Sequence, residues 1–88
     1  MSWTVAYSRR ADRDLANIPP AEAATLRADF RKLAADPTTR DVDVKKLEPK
    51  ERGLWRLRHG NYRAIFKRDR DTRTLQVLTV DDRKEMYR

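Results

Sequence analysis

Apolar and polar residues alternate from Trp3 to Tyr7, which places Trp3, Val5 and Tyr7 on one face of a short first strand. Over residues 9–18 the period lengthens. Ala11, Leu15 and Ile18 recur at i, i+4 and i+7, the spacing of a helix, and Ser8 stands where it can cap that helix. Pro19-Pro20 ends it and can start the next, because proline is tolerated in a first helical turn. The second helix, about residues 20–35, carries Ala23, Leu26, Phe30, Leu33 and Ala34 on one stripe. Its other face mixes Glu22, Arg27, Asp29, Arg31 and Lys32, as a solvated face does, and Pro37 stops it.

Residues 38–53 read as a polar connection in which Val44 and Leu47 can serve as anchors. A connection of this length is long for a small domain and is often functional or mobile. Period-two patterning returns in LWRLRHGNYRAIF, residues 54–66, where Gly60-Asn61 suits a two-residue hairpin turn. That turn pairs His59 with Tyr62, Arg58 with Arg63, Leu57 with Ala64, Arg56 with Ile65 and Trp55 with Phe66. Side chains alternate between faces along a strand. Trp55, Leu57, Tyr62, Ala64 and Phe66 therefore share an apolar face, while Arg56, Arg58, Arg63 and Lys67 share the other with Leu54 and Ile65. KRDRDTRT forms a second turn, and residues 75–80 make a further strand in which Leu75, Val77 and Thr79 alternate with Gln76, Leu78 and Val80. The pattern describes a single α+β domain spanning residues 1–88. An N-terminal strand and a helical hairpin precede a three-stranded antiparallel meander. Together the strands form a mainly antiparallel four-stranded sheet with the helices on one face, followed by a short C-terminal tail.

Composition narrows the chemistry. The chain holds no cysteine and one histidine, so it has neither a disulfide framework nor a thiolate or zinc site of its own. No apolar run reaches the ~18 residues of a membrane helix, and the first residues lack a signal-peptide core. A cytoplasmic protein without metal or cofactor is expected. Although 40% of the residues are charged and the mean hydropathy is −0.97, the apolar residues come in periodic groups, which favours a fold over disorder. The formal net charge of +7 is uneven: ten Lys/Arg against eight Asp/Glu in residues 1–50, and eleven against six in 51–88. A pI near 10.2 with arginine gathered in the C-terminal half fits an anionic partner, either nucleic acid or an acidic protein. Like charges placed opposite each other in a sheet are destabilising. The Arg58–Arg63 pair therefore points to something anionic held on that face. Lys45, Lys46 and Lys50 in the connection, with Arg58 and Lys67, are the further candidates for phosphate contacts.

The order of elements, the hairpin LWRLRHGNYRAIF and the ending VDDRKEMYR together resemble the RelE/ParE superfamily of bacterial toxins, closest to its RelE branch. The resemblance covers essentially the whole chain, with its informative residues in 54–88. It implies an mRNA interferase of a type II toxin–antitoxin system, a metal-independent endoribonuclease that cuts mRNA in the ribosomal A site and so inhibits translation. It also implies a RelB-like antitoxin whose amphipathic helical segment wraps the toxin, the complex binding operator DNA through the antitoxin. Carried onto this chain, the site positions are Arg56, Arg63, Arg83 and Tyr87, with Arg58 on a commonly basic position beside them. One departure is plain. A lysine that relatives often carry two residues before the Arg56 position is Leu54 here, which removes a candidate proton acceptor.

Cleavage by the RNA's own 2′-hydroxyl needs a base, charge neutralisation on the phosphorane and a proton for the leaving 5′-oxygen. Arginine supplies the second well, because its planar fork matches phosphate oxygens, and the first poorly. Tyr87 is a phenol between Arg83 and Arg88, which favour its ionised form. His59 falls at the turn on the apolar side, and Glu51 and Glu85 do not fall on the basic face. Arg56 and Arg63 are thus expected to clamp the phosphate, Arg83 to stabilise the leaving side, and Tyr87 to orient or deprotonate the 2′-hydroxyl. A ParE-type gyrase inhibitor and a non-catalytic RNA-binding module are the alternatives.

Overall fold

The computed structural model describes residues 2–49 and 52–82. The chain runs β1 (Thr4–Tyr7), α1 (Arg9–Ala16), α2 (Pro20–Ala35), β2 (Asp43–Lys46), β3 (Leu54–His59), β4 (Tyr62–Asp69) and β5 (Thr74–Asp82). These strands form one sheet in the order β1-β5-β4-β3-β2, antiparallel throughout except that β1 lies parallel to β5. A parallel neighbour requires a crossover, and the helical hairpin supplies it.

The two helices follow from the pattern. Ser8 caps α1 by accepting the Ala11 N–H at 3.0 Å, and Pro20 opens α2 at its first position. Ala11 and Leu15 of α1 and Leu26, Phe30, Leu33 and Ala34 of α2 are buried against Leu57, Ala64, Phe66, Leu75, Val77 and Val80 of the sheet. At the centre Phe30 meets Phe66 edge to face, with ring centroids 5.4 Å apart, and Tyr7 meets Phe30 at 6.2 Å. Among the described residues no helix covers the opposite face of the sheet.

The hairpin register is the one the sequence dictates, with His59 opposite Tyr62, Arg58 opposite Arg63 and Trp55 opposite Phe66. Of the two turn residues, Gly60 and Asn61, Gly60 alone takes a positive φ, +57°, as in a turn whose first central residue is glycine. Two expectations need correction. The sheet has five strands rather than four, because Asp43–Lys46 leaves the polar connection to pair with β3. Val44 is the single apolar residue in DVKK, too little alternation to announce a strand; as an edge strand it needs only one face against the protein. Strict alternation along β5 also fails. Thr79 pairs with Ile65 and Val77 with Phe66, so Leu78 is an extra residue, a β-bulge. Beyond it the inward position passes from Thr79 to Val80, which is 5% exposed.

Candidate functional site

Directly opposed residues on paired strands project to the same face, so the registers fix what the uncovered face displays. Across its hairpin end runs the row Asp43–Arg58–Arg63–Asp81. The next row is Lys45–Arg56–Ile65–Thr79, and beyond it lie Leu54, Lys67 and Gln76. Five cations (Lys45, Arg56, Arg58, Arg63, Lys67) and two carboxylates thus share a surface only three or four strands wide. Neighbouring strands are ~4.8 Å apart, so a single phosphodiester can bridge cations that face each other on adjacent strands, such as Arg58 and Arg63.

The arginines are held differently. Arg56 is largely enclosed, with its side chain 18% exposed, and one of its terminal nitrogens donates to Asp43 Oδ1 at 3.1 Å. The ion pair runs diagonally between rows and fixes the guanidinium over β2. Arg58 is exposed and Arg63 half-buried. The structure therefore brings together Arg56, Arg58, Arg63, Lys45 and Lys67. Lys46 is placed elsewhere: it projects to the other face, its Nζ 5.6 Å from the centre of the Trp55 ring. Arg83, Tyr87 and Lys50 lie outside the described residues.

No alternative phenol reaches this surface among the described residues. Tyr62 faces the helix side, where burial and the carboxylates of Asp82 and Glu22 push its ionisation upward. Burial likewise raises Tyr7, against the opposing pull of the Arg27 and Arg31 charges. Both hydroxyls stay protonated at neutral pH. His59 also lies on the helix side, with Nε2 3.6 Å from Glu22 and Nδ1 4.0 Å from Asp29. It sits between the hairpin tip and α2, on the apolar side that the register implied.

Two charged residues were missed on sequence. Asp43 and Asp81 flank the paired arginines, and this answers how the sheet tolerates Arg58 opposite Arg63: each arginine has a carboxylate as its other cross-strand neighbour. Asp43 was hidden in a segment read as loop, and Asp81 by the bulge. A second basic feature lies on the helix side, where the Arg68 guanidinium stacks on Trp55 at 4.0 Å. Burial, and secondarily Arg70, lowers the affinity of Arg68 for its proton. Among the described residues no group of three or more His, Asp or Glu side chains comes together to hold a metal ion. No helix there is long and apolar enough to cross a membrane.

A strand, a crossover of two helices and an antiparallel meander with a bare, arginine-bearing face define the class of the RelE-like toxins. Residues 5–87 match the family model described as the ParE toxin of the type II toxin–antitoxin system parDE, and the chain belongs to that family, within the RelE/ParE superfamily. It is 33% identical over 89 residues to Toxin RelG of Mycobacterium tuberculosis, spanning 100% of this chain and 99% of that one. Among solved structures it resembles a chain of the M. tuberculosis toxin–antitoxin complex RelBE2, with TM-score 0.76 and 30% identity over 94% of this chain and 100% of that one. It also resembles a chain of the archaeal RelE–RelB complex from Pyrococcus horikoshii, with TM-score 0.78 and 26% identity over 94% and 97%.

Proposed function

We propose that this toxin is a ribosome-dependent mRNA endonuclease that cleaves A-site mRNA by attack of the 2′-hydroxyl on the adjacent phosphate, and that it is neutralised by a RelB-like antitoxin. The observation that carries this reading is the gathering of Arg56, Arg58 and Arg63, with Lys45 and Lys67, on one open face of a rigid sheet. Arg63 and Arg56 clamp the scissile phosphate, and their charge stabilises the phosphorane as it forms. Asp43 holds Arg56 at a fixed angle, which limits what must be reorganised when RNA arrives. Arg83 stabilises the leaving side, and Tyr87 orients or deprotonates the nucleophile. The RNA supplies its own nucleophile and the guanidinium groups its electrostatic stabilisation, so the proposed reaction uses no cofactor.

Such a site positions and neutralises well but lacks a strong base, so it gains from a ribosome that bends the mRNA toward in-line geometry. The partner reading draws on the toxin–antitoxin complexes among the structural relatives and on the excess of cations over carboxylates on the open face. An acidic antitoxin segment would cover it, and the resulting complex would bind operator DNA through the antitoxin. Purified protein added to ribosomes programmed with a defined mRNA should produce a cut mapped by primer extension, and Arg63→Ala and Tyr87→Phe should each abolish most of it. Undiminished cutting by both variants overturns the assignment.

The matching family model is that of the ParE toxin, and the resemblance to ParE-type toxins implies one further reading, inhibition of DNA gyrase without RNA cleavage. A supercoiling assay run beside the cleavage assay separates the two: loss of gyrase activity with intact mRNA selects the second.

A further inference from the structure

The geometry points to Asp81 as the group that takes the proton from the attacking 2′-hydroxyl, an inference that rests on the endonuclease reading above. A guanidinium cannot accept a proton near neutral pH. Leu54 stands where a lysine could have served. His59, Tyr7 and Tyr62 belong to the helix side of the sheet. Lys45 and Lys67 lie in other rows than Arg63, and Asp69 lies at the far end of β4 with its carboxylate engaged in the turn that follows. In the Arg58–Arg63 row itself, among the described residues, the groups that can act as bases are Asp43 and Asp81.

These two carboxylates are not equivalent. Asp43 already accepts from Arg56 at 3.1 Å, so its negative charge is engaged in orienting a phosphate ligand. The Asp81 carboxylate makes no hydrogen bond or ion pair among the described residues, although on β5 it lies directly opposite Arg63 of β4. A base must stand within hydrogen-bond reach of the proton it abstracts. Asp81 stands one strand spacing from Arg63, ~4.8 Å, which is within reach of the 2′-hydroxyl of a nucleotide whose 3′-phosphate is held by Arg63 and whose ribose lies toward β5. The bulge at Leu78 puts Asp81 there, and the hydrogen bonds that α1 makes to the bulge keep it there: Ser8 Oγ donates to Leu78 O at 2.7 Å, and Asp14 Oδ2 accepts the Val80 N–H at 2.9 Å.

The step balances without a co-reactant. The 2′-O–H proton passes to an Asp81 carboxylate oxygen as the 2′-oxygen forms its bond to phosphorus. The phosphorus–5′-oxygen bond then breaks, and the leaving oxygen takes a proton from water. The products are a 2′,3′-cyclic phosphate and a 5′-hydroxyl, and Asp81 returns its proton to solvent. Tyr87 is then free to orient the nucleophile only.

The test measures single-turnover cleavage of ribosome-bound mRNA beside binding of the same complex programmed with mRNA carrying a 2′-deoxynucleotide at the scissile position. Asp81→Asn should lose ~100-fold or more in cleavage rate, the contribution of a positioned base. Its binding should be unchanged or tighter, since a negative charge beside Arg63 has gone. Asp81→Glu should recover part of the rate, and circular dichroism should show both variants folded. Cleavage by Asp81→Asn at the wild-type rate overturns the inference, and so does a loss of cleavage matched by an equal loss of binding. In either case the endonuclease reading stands if wild-type protein cuts and Arg63→Ala does not. A wild-type protein that leaves mRNA intact overturns both.

Discussion

Ser8 ties the first helix to the bulged interior strand β5, and its removal has a calculable cost. Its Oγ accepts the Ala11 N–H at 3.0 Å and donates to the Leu78 carbonyl at 2.7 Å, while its own N–H donates to Val77 O at 2.9 Å. Ser8→Ala spares the backbone bond and deletes both side-chain bonds. Loss of an N-cap costs about 1 kcal/mol. The part-buried Leu78 carbonyl, left with nothing to accept from, adds about 1 kcal/mol more. The sum of roughly 2 kcal/mol, at roughly 4–8 °C per kcal/mol for a domain of this size, lowers Tm by about 8–16 °C. Urea and thermal denaturation followed by circular dichroism measure it directly, and Ser8→Thr, which keeps the hydroxyl, should recover most of the loss. Asp14→Ala deprives the Val80 N–H of its acceptor in the same bulge. The double variant should therefore depart from additivity by about 0.5 kcal/mol or more. A Ser8→Ala protein within about 0.5 kcal/mol of wild type, the range of an ordinary surface substitution, would refute the argument that this hydroxyl joins helix to bulge.

Three further outcomes are expected. Gly60→Ala should destabilise the fold by about 1–2 kcal/mol in urea titration, because a side chain there is strained at φ +57° although a Cβ would meet nothing within 4 Å. Arg58→Ala should flatten the salt dependence of RNA binding, reducing the slope of log affinity against log salt by ~0.7 if Arg58 neutralises one phosphate of a single strand; filter binding over a salt series reads this. Tyr7 ionises at higher pH in the folded chain than in the unfolded one, because burial opposes the phenolate. Its contribution is therefore complete below the unfolded value near 10 and is lost as pH rises through the folded one. Urea midpoints at pH 9 and pH 11 should fall less for Tyr7→Phe than for wild type.

The regular parts of this fold were legible because each is written in one unbroken period. Leu26, Phe30 and Leu33 keep helical spacing through the whole of α2, and Pro20 and Pro37 bracket it, so the pattern announces both the element and its buried face. The hairpin was legible to the residue, since Gly60-Asn61 leaves one register and that register sorts Leu57, Ala64 and Phe66 from Arg56, Arg58 and Arg63. β2 was not. A strand on the sheet edge that turns only Val44 toward the core writes no alternation, and its pairing partners lie across a polar connection from it in the chain. The basic side of the candidate site thus showed in the sequence, and its acidic flank did not.

The bulge explains why that flank stayed hidden. Had β5 alternated without a break, the inward series from Leu75 and Val77 would have continued through Thr79 to Asp81. Asp81 would then point toward the helices, where an unpaired carboxylate is costly. Asp82 would face the arginines instead. One extra residue at Leu78 reverses both placements: Val80 enters the core, Asp82 joins Tyr62 on the helix side, and Asp81 comes level with Arg63. Such an insertion leaves the composition and hydrophobicity of the strand untouched, so no count of apolar positions reveals it. What reveals it is the hydrogen-bonding demand it creates. A bulge frees a carbonyl and an N–H that a sheet would otherwise pair, and in this chain Ser8 and Asp14 meet that demand from the first helix. The same two side chains that let the core close over an irregular strand also decide which carboxylate stands beside the arginine cluster.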